Sequence, residues 1–183
     1  MKKRFLIALS AIFLGSALMA AGMMKPPFGS HNDISFAKKL WSKMAMMGYV
    51  GKHSITTMPY VGKPPHGKVL SVIESKIKVD GFMGDLIIKK NFRGGGLSVE
   101  DVINHPKKYL ASITVMFRKK GFDPADKDWF WVKYKPNGEI MANPKGMRLA
   151  GKVAKGMPTG CISCHKAAPG GDFVYIHDRF SSM

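Results

Sequence analysis

Phe36, Leu40, Met44 and Met47 recur at helical spacing, with Lys38, Lys39 and Lys43 between them. Asn32 or Asp33 can cap such a helix. The pattern predicts one amphipathic helix running to about Tyr49, its methionines filling core rather than binding a metal. The period then changes. Residues 51–67 carry Gly62, Pro64, Pro65 and Gly67 and read as loop. Val69 to Ile73 reads as a strand, Gly81 to Gly84 as an interruption, and Leu86 to Phe92 as a second strand. Ser98 heads a capped helix that Pro106 cuts short. Ala111 to Phe117 is a strong β-run, Gly121 to Lys127 a turn, and Trp129 to Tyr134 an aromatic strand. Pro136-Asn137-Gly138 turns into Glu139 to Ala142 as a hairpin. Residues 143–160 read as loop and Phe173 to Ile176 as a last strand. There are no internal repeats. The count predicts an α+β domain, a predominantly antiparallel β-sheet with a few helices.

The first residues change that picture. Lys2, Lys3 and Arg4 precede an apolar run from Phe5 to Leu14, and mostly small residues follow from Ala17 to Gly22. This is the form of a cleaved secretory signal peptide, and the run is short for a membrane span. Residues 1–22 are therefore expected as signal peptide, 23–32 as linker and 33–183 as one domain, with a periplasmic destination. Net charge is +17, of which Lys2, Lys3 and Arg4 supply three. The lysines are scattered, so the basic surface is solvated. It would attract acidic proteins, and export argues against nucleic acid.

Chemistry concentrates in Cys161-Ile162-Ser163-Cys164-His165, which holds the only two cysteines. C-x-x-C-H suits covalent haem attachment. Two thiols add across the haem vinyl groups, and the next histidine reaches the iron as proximal ligand. A disulfide would leave His165 unexplained. A thioredoxin-like motif belongs at the start of a βαβ unit, whereas this one lies near the C-terminus after a Gly/Pro-rich stretch. A zinc site would need a fourth ligand at fitting spacing. One haem c, attached near the C-terminus, is the expected cofactor.

Trp129-Phe130-Trp131-Val132-Lys133-Tyr134, Pro136-Asn137-Gly138, the haem motif and Asp172-Phe173-Val174-Tyr175 stand in an ordered set. Pro65-His66-Gly67 and Gly84-Asp85-Leu86-Ile87-Ile88-Lys89 precede it. Over about residues 34–177 the set resembles the cytochrome P460 / cytochrome c′-β family. The resemblance implies a mostly antiparallel β-fold, a homodimer and one haem c with an open distal side. It also implies either oxidation of hydroxylamine or binding of nitric oxide and similar small ligands. By the same match Lys89 is the lysine that P460 members join covalently to the haem edge. Alternation along a strand puts Lys89 on one face with Ile87 and Asn91, and Lys90 on the other with Phe92.

Two departures weigh against the enzyme. Leu70 stands where the family places a distal arginine, and Met116 where it places a carboxylate. Neither side chain can accept the protons that hydroxylamine oxidation releases. The preferred expectation is an exported monohaem cytochrome binding a small diatomic or nitrogen-oxide ligand at an apolar distal side. The alternatives are hydroxylamine oxidation at a Lys89-linked haem, and electron transfer to a redox partner with Met116 as sixth ligand. Met141, Met147 and Met157 offer weaker versions of that ligand. His66 reads as a turn residue and His177 as a solvated one, while Trp129 and Trp131 share one strand face and read as core.

Overall fold

The computed structural model describes residues 27–175. The signal-peptide reading, the four linker residues before Pro27, Ile176 of the expected last strand and His177 lie outside them. Among the described residues six strands pair antiparallel in chain order: β1 (Tyr60–Val61), β2 (Val69–Val79), β3 (Phe82–Phe92), β4 (Leu110–Arg118), β5 (Trp129–Tyr134) and β6 (Ala150–Gly151). The helices are α1 (His31–Met46), α2 (Val99–Asn104), α3 (Pro106–Tyr109) and α4 (Cys161–His165). The chain is an α+β domain built on a six-stranded antiparallel sheet.

Several boundaries differ from the sequence expectation, each for a local reason. Helix α1 begins at His31, inside the expected linker, because Ser30 and not Asn32 or Asp33 is the N-cap. The Ser30 hydroxyl accepts from the Asp33 N–H, and the Asp33 carboxylate accepts in return from the Ser30 N–H. Met47 ends the helix and stays 38 % exposed, outside the core stripe of Phe36, Leu40 and Met44. Strand β2 runs on to Val79, because Glu74, Lys76 and Lys78 are only its outward positions. The turn to β3 is made by Asp80 and Gly81, both at positive φ. Gly84 lies inside β3, where a Cβ would stand 1.9 Å from the Arg118 carbonyl oxygen. Glu139 to Ala142 forms only isolated bridges, Tyr134 with Ile140 and Ala142 with Arg148. Phe173 to Tyr175 is not a strand: Phe173 sits at φ 64, in the left-handed region.

The two sheet faces have different covers. On one, Ile73, Ile77, Leu86, Ile88, Ile113, Val115, Phe117, Phe130, Val132 and Tyr134 pack with Phe36, Ala37, Leu40 and Met44 of α1. The Tyr134 hydroxyl donates to the Ala37 carbonyl at 2.7 Å and ties helix to sheet. On the other, Met116, Trp129 and Trp131 pack under Phe28, Val153, Ala154, Ile162, Phe173 and Val174. The chain after β5 thus folds back over the second face and brings the C-x-x-C-H segment onto it. Among the described residues no helix is long and apolar enough to cross a membrane.

Lys90 is 1 % exposed on the α1 side, and its ammonium donates to the Ser54 hydroxyl at 3.1 Å and to the Ile55 carbonyl. Burial pushes its pKa down to about 8. The unfolded chain then binds more protons than the folded chain between about pH 8 and 10.5, so stability rises with pH across that window. The gain from this group is at most on the order of 3 kcal/mol. Denaturant unfolding at pH 7.5 and pH 10 should show wild type gaining on Lys90→Met as pH rises. Parallel profiles for the two proteins would refute this.

Candidate functional site

Antiparallel register sets the site. Residues directly opposite one another share a face. One row on the second face runs Val72, Lys89, Thr114, Lys133; the next runs Glu74, Ile87, Met116, Trp131. Leu70, Asn91 and Ser112 form a third. Lys89 therefore shares the face covered by the C-x-x-C-H segment, as the alternation predicted, and Lys90 does not. Lys89 is only 9 % exposed, so it does not behave as a strand lysine reaching into solvent.

Helix α4 is one short turn. Cys161 and Cys164, three apart, lie on the same side of it. Both thiols are free, Cys161 half-buried and Cys164 exposed, and burial pushes the Cys161 thiol up. Ile162 points the other way into the Met116–Trp129–Trp131 cluster and anchors the turn. Gly160, just before the turn, has φ 132, and a Cβ there would come within 2.2 Å of the Ala154 Cβ. Only glycine lets the chain enter α4 this close to the preceding loop.

His165 is held with its chemistry decided. Its Nδ1 lies 2.6 Å from the Phe173 carbonyl oxygen. A carbonyl only accepts, so Nδ1 carries the hydrogen and, in the neutral ring, Nε2 carries the lone pair. This is the usual orienting contact of a metal-bound histidine. The carbonyl is itself positioned. Arg118 donates both to Asp85 at 2.9 Å and to Asp172 at 2.9 and 3.0 Å, and stacks 4.2 Å above the Trp129 ring. Trp129 Nε1 donates to the Asp172 carbonyl at 2.9 Å. These contacts fix residue 172, and the left-handed turn at Phe173 aims the next carbonyl at His165. The Tyr175 hydroxyl donates to the Cys164 carbonyl at 3.1 Å. What reads in sequence as a strand is a strap that orients the histidine.

Three rings surround His165: Trp131 at 4.8 Å, Tyr175 at 5.4 Å and His66 at 6.1 Å between centroids. Trp131 is thus a site residue as well as core. Its indole Nε1 is buried and has no hydrogen-bond partner among the described residues. A buried orphan donor is costly, and an acceptor oxygen on a bound group would satisfy it. His66, which reads in the sequence as a turn residue, meets the His165 ring edge-on. Its pKa is lowered to about 4, first by burial, then by the charges of Lys89, His165 and Lys133 against a raising bond from Asn91. Met116 is packed among Trp131, Trp129 and Ile162, and Met147 borders the same cluster. Leu70 is buried beside Asn91, while Met157 is 38 % exposed. The side chains packed around Met116 are apolar, and the charges acting at His66 include those of Lys89 and Lys133.

Among the described residues no group of three or more His, Cys, Asp and Glu side chains is placed to hold a metal ion. A haem iron needs only one or two protein ligands, which this arrangement can supply. The donor set fits haem c: two thiols on one helical turn, an oriented imidazole beside them, and an orphan donor next to that imidazole. Comparison with family models, with curated proteins and with solved structures finds no match to this chain.

Proposed function

We propose that this chain is an exported, periplasmic monohaem c-type cytochrome that binds small nitrogen-oxide ligands such as nitric oxide. Cys161 and Cys164 would hold the haem and His165 its iron. The observation that carries the reading is the His165 Nδ1–Phe173 contact, one residue from a pair of free thiols at helical spacing. When bound, haem supplies an iron able to take a diatomic ligand. The chain's own part is to orient the imidazole through Phe173, exclude water with Met116, Trp129 and Trp131, and surround the site with cations. Lys89 and Lys133 favour neutral or anionic nitrogen oxides and disfavour a protonated amine.

Lys89 supports a second reading. A buried lysine on the covered face, close enough to His66 for its charge to lower the His66 pKa, is where a lysine–haem link of the P460 kind would form. Hydroxylamine oxidation would use it. The charges that act at His66 are those of Lys89, His165 and Lys133, so no carboxylate stands among them to take the protons that oxidation releases. The basic surface and the family resemblance add an acidic redox partner and a homodimer to the proposal.

The test is intact mass of the exported protein followed by nitric oxide titration of the ferrous form. Expected are a mass increment of one haem, stoichiometric nitric oxide binding and no hydroxylamine turnover with an artificial oxidant. Haem-loaded protein that turns over hydroxylamine and carries a haem–Lys89 peptide would establish the second reading instead. A ferrous haem inert to nitric oxide would leave electron transfer.

A further inference from the structure

His66 and His165 are 99 positions apart in the chain, yet their rings meet at 6.1 Å and 89°. The contact depends on a buried hydrogen-bond network. Asn91 is 1 % exposed, and its Nδ2 donates to the carbonyls of Lys89 and Ser112, each at 3.1 Å, and to the Thr114 hydroxyl at 3.3 Å. Two carbonyl acceptors settle which end of the amide is nitrogen. The other end, Oδ1, lies 3.1 Å from His66 Nδ1 and can only accept. Nδ1 of His66 therefore carries its hydrogen, and Nε2 carries the lone pair. His165 is in the same state through Phe173. The protein has built two imidazoles of the same tautomer side by side, each with its Nδ1–H fixed by an oxygen from the sheet face or the strap.

That is the outer-shell pattern of metal-bound histidines. The spacing agrees with it. With a metal–nitrogen bond of about 2 Å, two imidazoles on opposite sides of one ion have ring centroids roughly 6 Å apart. We infer that His66 is the second axial nitrogen donor of this site, the sixth ligand of the haem iron in the absence of an external ligand. This rests on the haem reading and changes what it means. With haem bound, His66 would occupy the position that an external ligand needs, and nitric oxide would have to compete with it. Apparent affinity and entry rate are then reduced by the small fraction of molecules with His66 off the iron.

The experiment uses the full chain, exported and haem-loaded, with the loading of every sample fixed by intact mass. Wild type should give the low-spin absorption and paramagnetic resonance spectra of two imidazole ligands in the ferric form. His66→Ala should become high-spin, and added imidazole should restore the low-spin spectrum. Nitric oxide should bind ferrous His66→Ala about tenfold or more faster than wild type. Should His66→Ala fail to accumulate, Asn91→Leu leaves the imidazole in place but removes its orienting acceptor, and a mixed-spin spectrum is expected. A haem-loaded wild type that is high-spin overturns the inference while leaving the haem reading intact. So does a low-spin spectrum that responds to Met116→Ala but not to His66→Ala. A wild type that carries no haem overturns the haem reading itself.

Discussion

Exported Cys161→Ser/Cys164→Ser protein is expected to lose its covalent haem completely: the mass falls by one haem, and any residual colour extracts into acidified organic solvent. The two sulfurs do little else in the apoprotein. Cys164 is exposed and Cys161 only half-buried, and neither thiol is tied into a disulfide. The turn that carries them is held by Ile162 in the apolar cluster and by the Cys164 N–H to Gly160 carbonyl bond at 3.1 Å, which serine keeps. Sulfur-to-oxygen exchange at these positions should therefore cost the apoprotein no more than about 1 kcal/mol. The sheet and α1, which share a separate core, should unfold as before. Holoprotein stability should drop much further, since a ligand bound only by the native state stabilises it. Single variants separate the two thiols: Cys164→Ser should retain haem through one thioether with a shifted absorption maximum. An unchanged mass and spectrum in the double variant would end the haem c proposal.

The helical turn at C-x-x-C-H and the central strands were legible because each is a local signal. Ala111–Phe117 and Trp129–Tyr134 are dense in β-branched and aromatic residues, and strands β4 and β5 occupy nearly those bounds. The two-residue period also gave the correct faces for Lys89 and Lys90, since alternation holds wherever a strand forms. Three things were not legible. Phe173-Val174-Tyr175 has strand composition, but Arg118 and Trp129 hold the residue before it and its carbonyl serves His165, so tertiary contacts overrule propensity. His66 looks like a turn residue because its partner, Asn91, is brought to it only by the pairing of β2 with β3. Asp123 and Asp126 read as polar turn residues, yet they are 3 % and 1 % exposed. Nothing in their immediate sequence announces the lysines, 29 to 40 positions later, that neutralise them.

Those lysines make the largest stability prediction. Asp126 pairs with Lys155 at 3.1 Å and with Lys166 at 3.2 Å, and Asp123 pairs with Lys155 and, at 3.5 Å, with Lys152. Lys166 directly follows His165, so the cluster fastens the C-x-x-C-H turn to the β4–β5 connection. Burial pushes the Asp126 carboxyl up, but hydrogen bonds and charge from Lys155 and Lys166 outweigh it and hold the group below its ordinary value. With the folded pKa below the unfolded one, the pair stabilises above about pH 4, and that stability is lost as pH falls through the folded value. Lys155 is the cation common to both carboxylates. Lys155→Ala should cost about 3–5 kcal/mol at pH 7, because two buried carboxylates lose their shared partner. It should also weaken the local pH dependence. With Lys155 gone only Lys166 opposes burial at Asp126, the folded pKa moves up towards the unfolded one, and the variant's deficit shrinks as pH falls below about 4. Lys152→Ala, which removes a longer and more exposed contact, should cost less than about 1 kcal/mol. Denaturant unfolding between pH 3 and pH 7 distinguishes the cases. A Lys155→Ala deficit that stays constant across that range would mean lost packing rather than lost charge, and would remove the electrostatic account of how the histidine turn is fastened.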